Sequence, residues 1–129
     1  MDTETAKAKF AQDRFAALAG IEIIEAGAGH CTARMKIEDK HLNAAHIVQG
    51  GAIFTLADLA FAVAANSHGQ LALAIHANIS FLRSKSKGYL YATATEINDP
   101  KRVNVYDVMV TDEHGEAVAK FHGMVYRKK

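Results

Sequence analysis

The stretch that most restricts the fold is GGAIFTLADLAFAVAAN, Gly50 to Asn66, which runs with helical periodicity and carries one charged side chain, Asp58. Ile53, Leu56, Ala57, Ala60, Phe61 and Ala64 form its period-3.6 stripe. The reverse side, Gly51, Phe54, Asp58, Ala62 and Ala65, is also apolar or small. A helix apolar all round has to be covered on more than one side. In a chain of 129 residues a sheet can wrap one face, with little left for the other. A second subunit is the economical cover, so a homo-oligomer is expected, a dimer or a dimer of dimers. Asp58 then lies near a subunit boundary, where burial raises a carboxylate's pKa unless hydrogen bonds oppose it.

The flanking sequence supplies the sheet. Residues 1–19 are expected to hold one N-terminal helix, capped by Asp2 and running through Leu18, with Phe10, Phe15 and Leu18 facing inward and Gly20 stopping it. Two strands follow, Ile21–Gly27 and His30–Glu38, joined by Ala28–Gly29. The second alternates cleanly, with Cys31, Ala33, Met35 and Ile37 on one face and His30, Thr32, Arg34 and Lys36 on the other. Period two returns in LALAIHANISFLR, YLYATATEIN, VNVYDVMVTD and EAVAKFHGMVYR, punctuated at Lys87–Gly88, Asp99–Pro100 and His114–Gly115. Helix, two strands, long helix and four strands predict an α+β fold over residues 1–129, with no repeat or linker.

Composition narrows the classes of partner. The net charge of +1 gives no strong field toward nucleic acid or an anionic membrane. The longest apolar run contains Asp58, so no membrane span is expected. Cys31 is the one cysteine, on an apolar strand face where packing is the ordinary role. No signal peptide is read at the start, and a cytoplasmic location is expected.

Asp58 is either a structural carboxylate or a working one. Two neighbours favour work. Gly50–Gly51 at the helix start present backbone N–H groups with the positive end of the dipole behind them and no side chain in the way. Asn43 and Gln49 add amides that both donate and accept. An anion hole, a carboxylate two turns along and a water-positioning amide are the parts that attack on a carbonyl requires.

The spacing N-x-x-x-x-x-[HQ]-G-G-x-x-x-x-L-x-D, met by Asn43, Gln49, Gly50, Gly51, Leu56 and Asp58, resembles the hotdog-fold acyl-CoA thioesterases of the PaaI (phenylacetate-degradation) type. His76–Arg83 and Phe121–Arg127 also look like that family's strands, and the resemblance covers roughly Gly20 to Lys129. It implies a hotdog fold, in which a curved antiparallel sheet of about five to six strands wraps a long central helix. It implies hydrolysis of an acyl-CoA thioester to the free acid and CoA, without a metal or organic cofactor. Asp58 matches the family's catalytic carboxylate, a nucleophile in some members and a base for water in others. Gly50, with Gly51, matches the N–H donor to the thioester oxygen, and Asn43 the amide that positions water.

Two positions depart from the commoner pattern. Gln49 stands where many members have His; its amide donates but cannot shuttle a proton, which leaves acid–base work to Asp58. His46 stands where Gly is frequent, as a polar group at the site mouth or a plain loop histidine. The short polar side chain that some members place opposite the carboxylate has no secure match, Ala74 and His76 being nearest. An acyl pocket would include Phe54, Phe61 and Ala62. Arg83, Lys85, Lys87, Lys101 and Arg102 are either solvated loop charge or contacts to the CoA phosphates. No metal-ligand spacing or GxSxG turn is found. A hotdog dehydratase would want His beside the carboxylate, and a non-catalytic acyl-CoA-binding module has no use for a buried Asp58.

Overall fold

The computed structural model describes residues 1–99 and 102–128. Helices α1 (Thr3–Phe10) and α2 (Arg14–Ala19) lead into the hairpin β1 (Ile21–Gly27) and β2 (His30–Lys36). A loop with one 3-10 turn, Asp39–His41, then reaches α3 (Gly50–Ala65). Strands β3 (Ala72–Phe81), β4 (Tyr89–Glu96), β5 (Val103–Asp112) and β6 (Ala117–Arg127) complete the chain. Among the described residues six strands form one antiparallel sheet, ordered β1-β2-β4-β5-β6-β3, that curves around α3. The helix-in-sheet arrangement is the hotdog fold.

The concave face is built from the alternation. Cys31, Ala33 and Met35 of β2, Leu90, Ala92 and Ala94 of β4, and Tyr106, Val108 and Val110 of β5 are fully buried. The register aligns Ala33, Ala92 and Val110 in one row under the helix. Small residues there let α3 approach closely enough to bury its whole stripe, Ile53, Leu56, Ala57, Ala60, Phe61 and Ala64. Phe61 lies edge-on to Tyr106, with ring centres 5.7 Å apart, and tilted against Phe121 at 5.4 Å. Each such pair contributes about 0.5–1.5 kcal/mol beyond area burial. Burial pushes the Cys31 thiol up to about 12, so it packs as a thiol and is no nucleophile. The stretch Gly50–His68 is long and apolar enough to cross a membrane by length and composition, but most of it is enclosed by the sheet.

A buried polar clamp holds the far end of α3. The Arg127 guanidinium, 3% exposed, donates to the Ala65 carbonyl, to Asn104 Oδ1 at 2.8 Å and to the Tyr106 hydroxyl at 2.8 Å. Tyr106 donates to Glu96 Oε2 at 2.7 Å, and His68 Nε2 meets the same oxygen at 2.8 Å. A cation on the last turn's carbonyl satisfies an otherwise orphaned acceptor and complements the helix dipole.

The N-terminal segment corrects the expectation of one helix. Asp2 caps α1 through the Thr5 N–H, but the chain turns at Ala11–Asp13 and Asp13 starts α2 by accepting from the Ala16 N–H. Gly20 ends α2 in the left-handed conformation, φ 80°. The break rotates α2, so Phe15 and Leu18 are 66% and 70% exposed instead of facing inward. Phe10 alone of the three packs against the core.

Candidate active site

The start of α3 is fixed by a buried histidine. His41 Nδ1 accepts the Glu38 N–H at 2.9 Å, and Nε2, 2.7 Å from the Ala19 carbonyl, is thereby the protonated nitrogen that donates to it. The His41 carbonyl accepts the Gln49 N–H at 2.8 Å. The end of α2 and the first residue before α3 are therefore held by one residue, through its ring and its carbonyl respectively. The Gln49 carbonyl takes the Ala52 and Ile53 N–H groups. Gly50 and Gly51 are the first two residues of the helix, so their N–H groups have no carbonyl a turn behind to meet.

Both glycines lie in close approach to a side chain. A methyl group on Gly50 would lie 2.9 Å from the Phe81 ring, and one on Gly51 2.8 Å from Gln49 Oε1. The Gln49 carboxamide thus lies over the Gly51 backbone, side by side with the exposed amides.

Asn43 organises the loop before the helix. Its Oδ1 accepts the Ala45 N–H at 2.9 Å and the Ile47 N–H at 3.3 Å, while its backbone pairs with Ile47. Two N–H partners occupy the oxygen and leave the NH₂ end as the part that could meet a ligand. His46 is an exposed loop residue at φ 63°, a left-handed conformation that favours glycine.

Asp58 is half-buried on α3, in a wall it shares with Phe10 of α1 and with Leu73 and Ala74 of β3. Among the described residues no hydrogen-bond donor or cation engages its carboxylate. Burial, and secondarily the negative charge of Asp13, hold its pKa above the ordinary carboxylate value. A carboxylate in that state is a stronger base than a solvated one once ionised.

Within one chain the expected site residues are divided among three clefts. Asp58, Phe61 and Ala62 line a cleft of about 350 Å³ with Phe10, Leu73 and Ala74. Asn43, Gly50 and Arg83 line a second, of about 510 Å³. Gln49, Gly51 and Phe54 line a third, of about 690 Å³. Ala74, but not His76, is in the wall beside Asp58. Eight residues of helix separate Gly50 from Asp58, about 12 Å at 1.5 Å per residue. The amides and the carboxylate of one chain therefore cannot reach the same carbonyl.

The basic residues differ in availability. Arg83 is half-exposed beside Asn43 and Gly50, paired with Glu116 at 2.8 Å. Lys85 is mostly buried between Asp112, at 3.2 Å, and Glu113, at 3.7 Å. Lys87 is exposed, Arg102 stacks over the Tyr126 ring, and Lys101 lies outside the described residues. Sequence reasoning missed Asp13 as a charge acting on Asp58, and Phe15 and Leu18 as residues around the start of α3. Asp13 carried a signal, an Asp three residues before Ala16 in N-cap spacing; Phe15 and Leu18 carried none that separates them from core.

Residues 45–119 match the thioesterase superfamily. The acyl-coenzyme A thioesterase PaaI of Escherichia coli is 36% identical over 96% of this chain and 89% of its own. The solved structure of the E. coli PaaI protein superposes with a TM-score of 0.92, covering 98% of this chain and 92% of that one, at 35% identity. A mutant of the phenylacetic acid degradation protein PaaI from Thermus thermophilus superposes with a TM-score of 0.85, over 90% of this chain and 100% of that one, at 31% identity. The chain belongs to the thioesterase superfamily and is a hotdog thioesterase of the PaaI type.

Proposed function

We propose that this protein hydrolyses acyl-CoA thioesters at a site shared by two subunits. The observation that carries this is the 12 Å rise, roughly, between the free amides at Gly50–Gly51 and the unpartnered Asp58 on one helix. A two-fold partner brings its own Asp58 over these amides, which no movement within one rigid helix can do. The edge of the sheet supports such pairing. Among the described residues strand β3 has a neighbour on one side only, and Leu73 and Ile75 on it are 53% and 56% exposed, an apolar edge without the charges that usually blunt one.

In this site the thioester oxygen sits against the Gly50 and Gly51 N–H groups, with the Gln49 amide as a further donor. These donors meet the negative charge that develops as the carbonyl becomes tetrahedral. The partner's carboxylate either attacks the carbonyl carbon or takes a proton from a water that does. The Asn43 NH₂ group holds that water by its oxygen and leaves a second lone pair for attack. Collapse of the tetrahedral species expels CoA thiolate and leaves the acid, or an anhydride with Asp58 that water then opens. Arg83, beside Asn43 and Gly50, is the basic side chain best placed for a CoA phosphate.

Subunit mixing with a thiol-release assay tests this. Asp58→Asn and Gln49→Ala homo-oligomers should each be poor catalysts. Mixed dimers carry one site with both native groups, so random mixing restores about a quarter of parental activity: half the dimers, one site of two. Activity in the mixture equal to the average of the two variants would exclude a shared site.

A further inference from the structure

The loop between β3 and β4, residues 82–88, meets the start of α3 on one side and the β5–β6 turn on the other. Toward α3, the Lys85 carbonyl accepts the Val48 N–H at 2.8 Å. Val48 is buried and stands two residues before the helix. The next N–H, that of Gln49, goes to the His41 carbonyl, also at 2.8 Å. Val48 forms a bridge with Leu42 and Gln49 is extended, and adjacent residues of extended backbone face opposite sides. Lys85 and His41 therefore hold this segment from two flanks. The amides of Gly50 and Gly51 follow directly from the two anchored residues.

Toward the β5–β6 turn, the fastening is the Lys85 side chain. Its Nζ lies 3.2 Å from Asp112 Oδ2 and 3.7 Å from Glu113 Oε1. Asp112 is buried, and its Oδ1 accepts the His114 and Glu116 N–H groups at 2.8 and 3.0 Å. One carboxylate thus closes the turn and holds the lysine. Glu113 also accepts the Tyr89 N–H at 2.9 Å, which fixes the far end of the same loop. A cation enclosed by two carboxylates is a poor receptor for a third anion, because a phosphate would have to displace a buried partner. It is a good strut. A lysine held by a buried partner has given up its rotamer freedom, and the backbone carbonyl it carries is steadied with it.

We propose that Lys85 is a positioning residue for the hydrolysis rather than a phosphate contact: pinned by Asp112, it keeps the Val48 N–H engaged and so aims the Gly50 and Gly51 amides at the thioester oxygen. This rests on the hydrolase reading above. With the strut cut, the segment before α3 keeps only the His41 anchor and pivots about it. A displacement of about 1 Å at such donors can cost roughly 10²-fold in rate. The loss falls on kcat, since these donors act on charge that develops only in the transition state.

The test compares the parent with Lys85→Met and Asp112→Asn. Asn keeps Oδ1 for the turn and directs an amide N–H at Lys85, which releases the strut from a residue too deep to touch a ligand. Substrates are the hexanoyl and phenylacetyl thioesters of CoA and of N-acetylcysteamine, which has the same thioester and no phosphate. Both variants should lower kcat/KM by the same factor, roughly 10- to 10²-fold, with either thiol, and with CoA the loss should lie in kcat. Hydrogen exchange at the Val48 amide, followed by NMR, should quicken in both variants relative to the amides of β1 and β2. A loss confined to the CoA thioesters, as a rise in KM, makes Lys85 a phosphate contact and overturns the proposal. So does a lower melting temperature with kcat intact, or Val48 exchange unmoved in both variants. If the parent releases thiol from none of the four, the hydrolase reading fails, and Val48 exchange alone decides the strut: quickened exchange sustains it, unmoved exchange overturns it.

Discussion

Replacing Asp58 by Asn separates what the carboxylate does for catalysis from what it does to the fold. Its pKa is raised, first by burial and then by the charge of Asp13. The folded state therefore holds this proton more tightly than the unfolded chain, whose value is near 3.8, and ionising Asp58 opposes folding. That opposition is absent below the unfolded value, grows as pH rises toward the folded pKa, and is fully present above it. Asn keeps the size of the side chain and removes the charge. The variant should be the more stable protein at about pH 8, with the gain shrinking to nothing as pH falls toward the unfolded value. Each unit by which the pKa is raised corresponds to about 1.4 kcal/mol. The same pKa sets the acidic limb of kcat/KM for acyl-CoA hydrolysis. Two independent measurements are thus tied together. The limb's pKa less the unfolded value, multiplied by about 1.4 kcal/mol, should match the gain found by denaturant titration at fixed protein concentration. Turnover should meanwhile fall by about 10²–10⁴. An Asn variant less stable than its parent at about pH 8 would mean that donors hold the carboxylate, and would refute this account of its basicity.

Three further outcomes follow from other parts of the molecule. His46→Gly relieves a left-handed residue and should raise stability by about 0.5–1 kcal/mol, measured as a higher melting temperature with unchanged hydrolysis. Arg127→Met removes the buried guanidinium that donates to the Ala65 carbonyl and the Tyr106 hydroxyl and should cost about 3–5 kcal/mol in chemical denaturation. Ile75→Lys places a charge on the exposed edge strand, so sedimentation should show a smaller species than the parent, and thiol release should fall with the loss of the shared site.

The sheet and the long helix were legible for a common reason: each has a face whose burial does not depend on the rest of the chain being known. The alternation of Cys31, Ala33 and Met35 leaves β2 one way to face the core, and two glycines followed by an apolar stripe mark where α3 starts. Burial that depends on how two elements meet was not legible. Phe15 and Leu18 have the spacing of core residues, and only the turn forced by the Asp13 cap carries them outside. Nothing in the strand pattern marks Arg127 for burial, which follows from the Ala65 carbonyl arriving opposite it. In the site, sequence places Gly50 and Asp58 close along the chain, and helix rise sets them too far apart for one carbonyl. The all-apolar helix placed Asp58 near a subunit boundary, and the helix rise is the reason that adjacency along the chain does not by itself assemble a site.

The order of strands in the sheet also sets a timetable for synthesis. Strand β3 is made well before its one neighbour, β6, which begins 36 positions after Phe81. At 5–20 residues per second the ribosome needs roughly 2–7 s to cover that distance. Through that interval a ten-residue strand with Leu73 and Ile75 has no partner on either side, and α3 has no Arg127 to close its last turn. A nascent chain held at this point offers an unpaired apolar strand to whatever is nearby, including another copy emerging from the same message. The edge that two finished subunits would share is thus the segment by which unfinished ones would aggregate, and slow codons between residues 82 and 116 should lower soluble yield more than the same codons before residue 50.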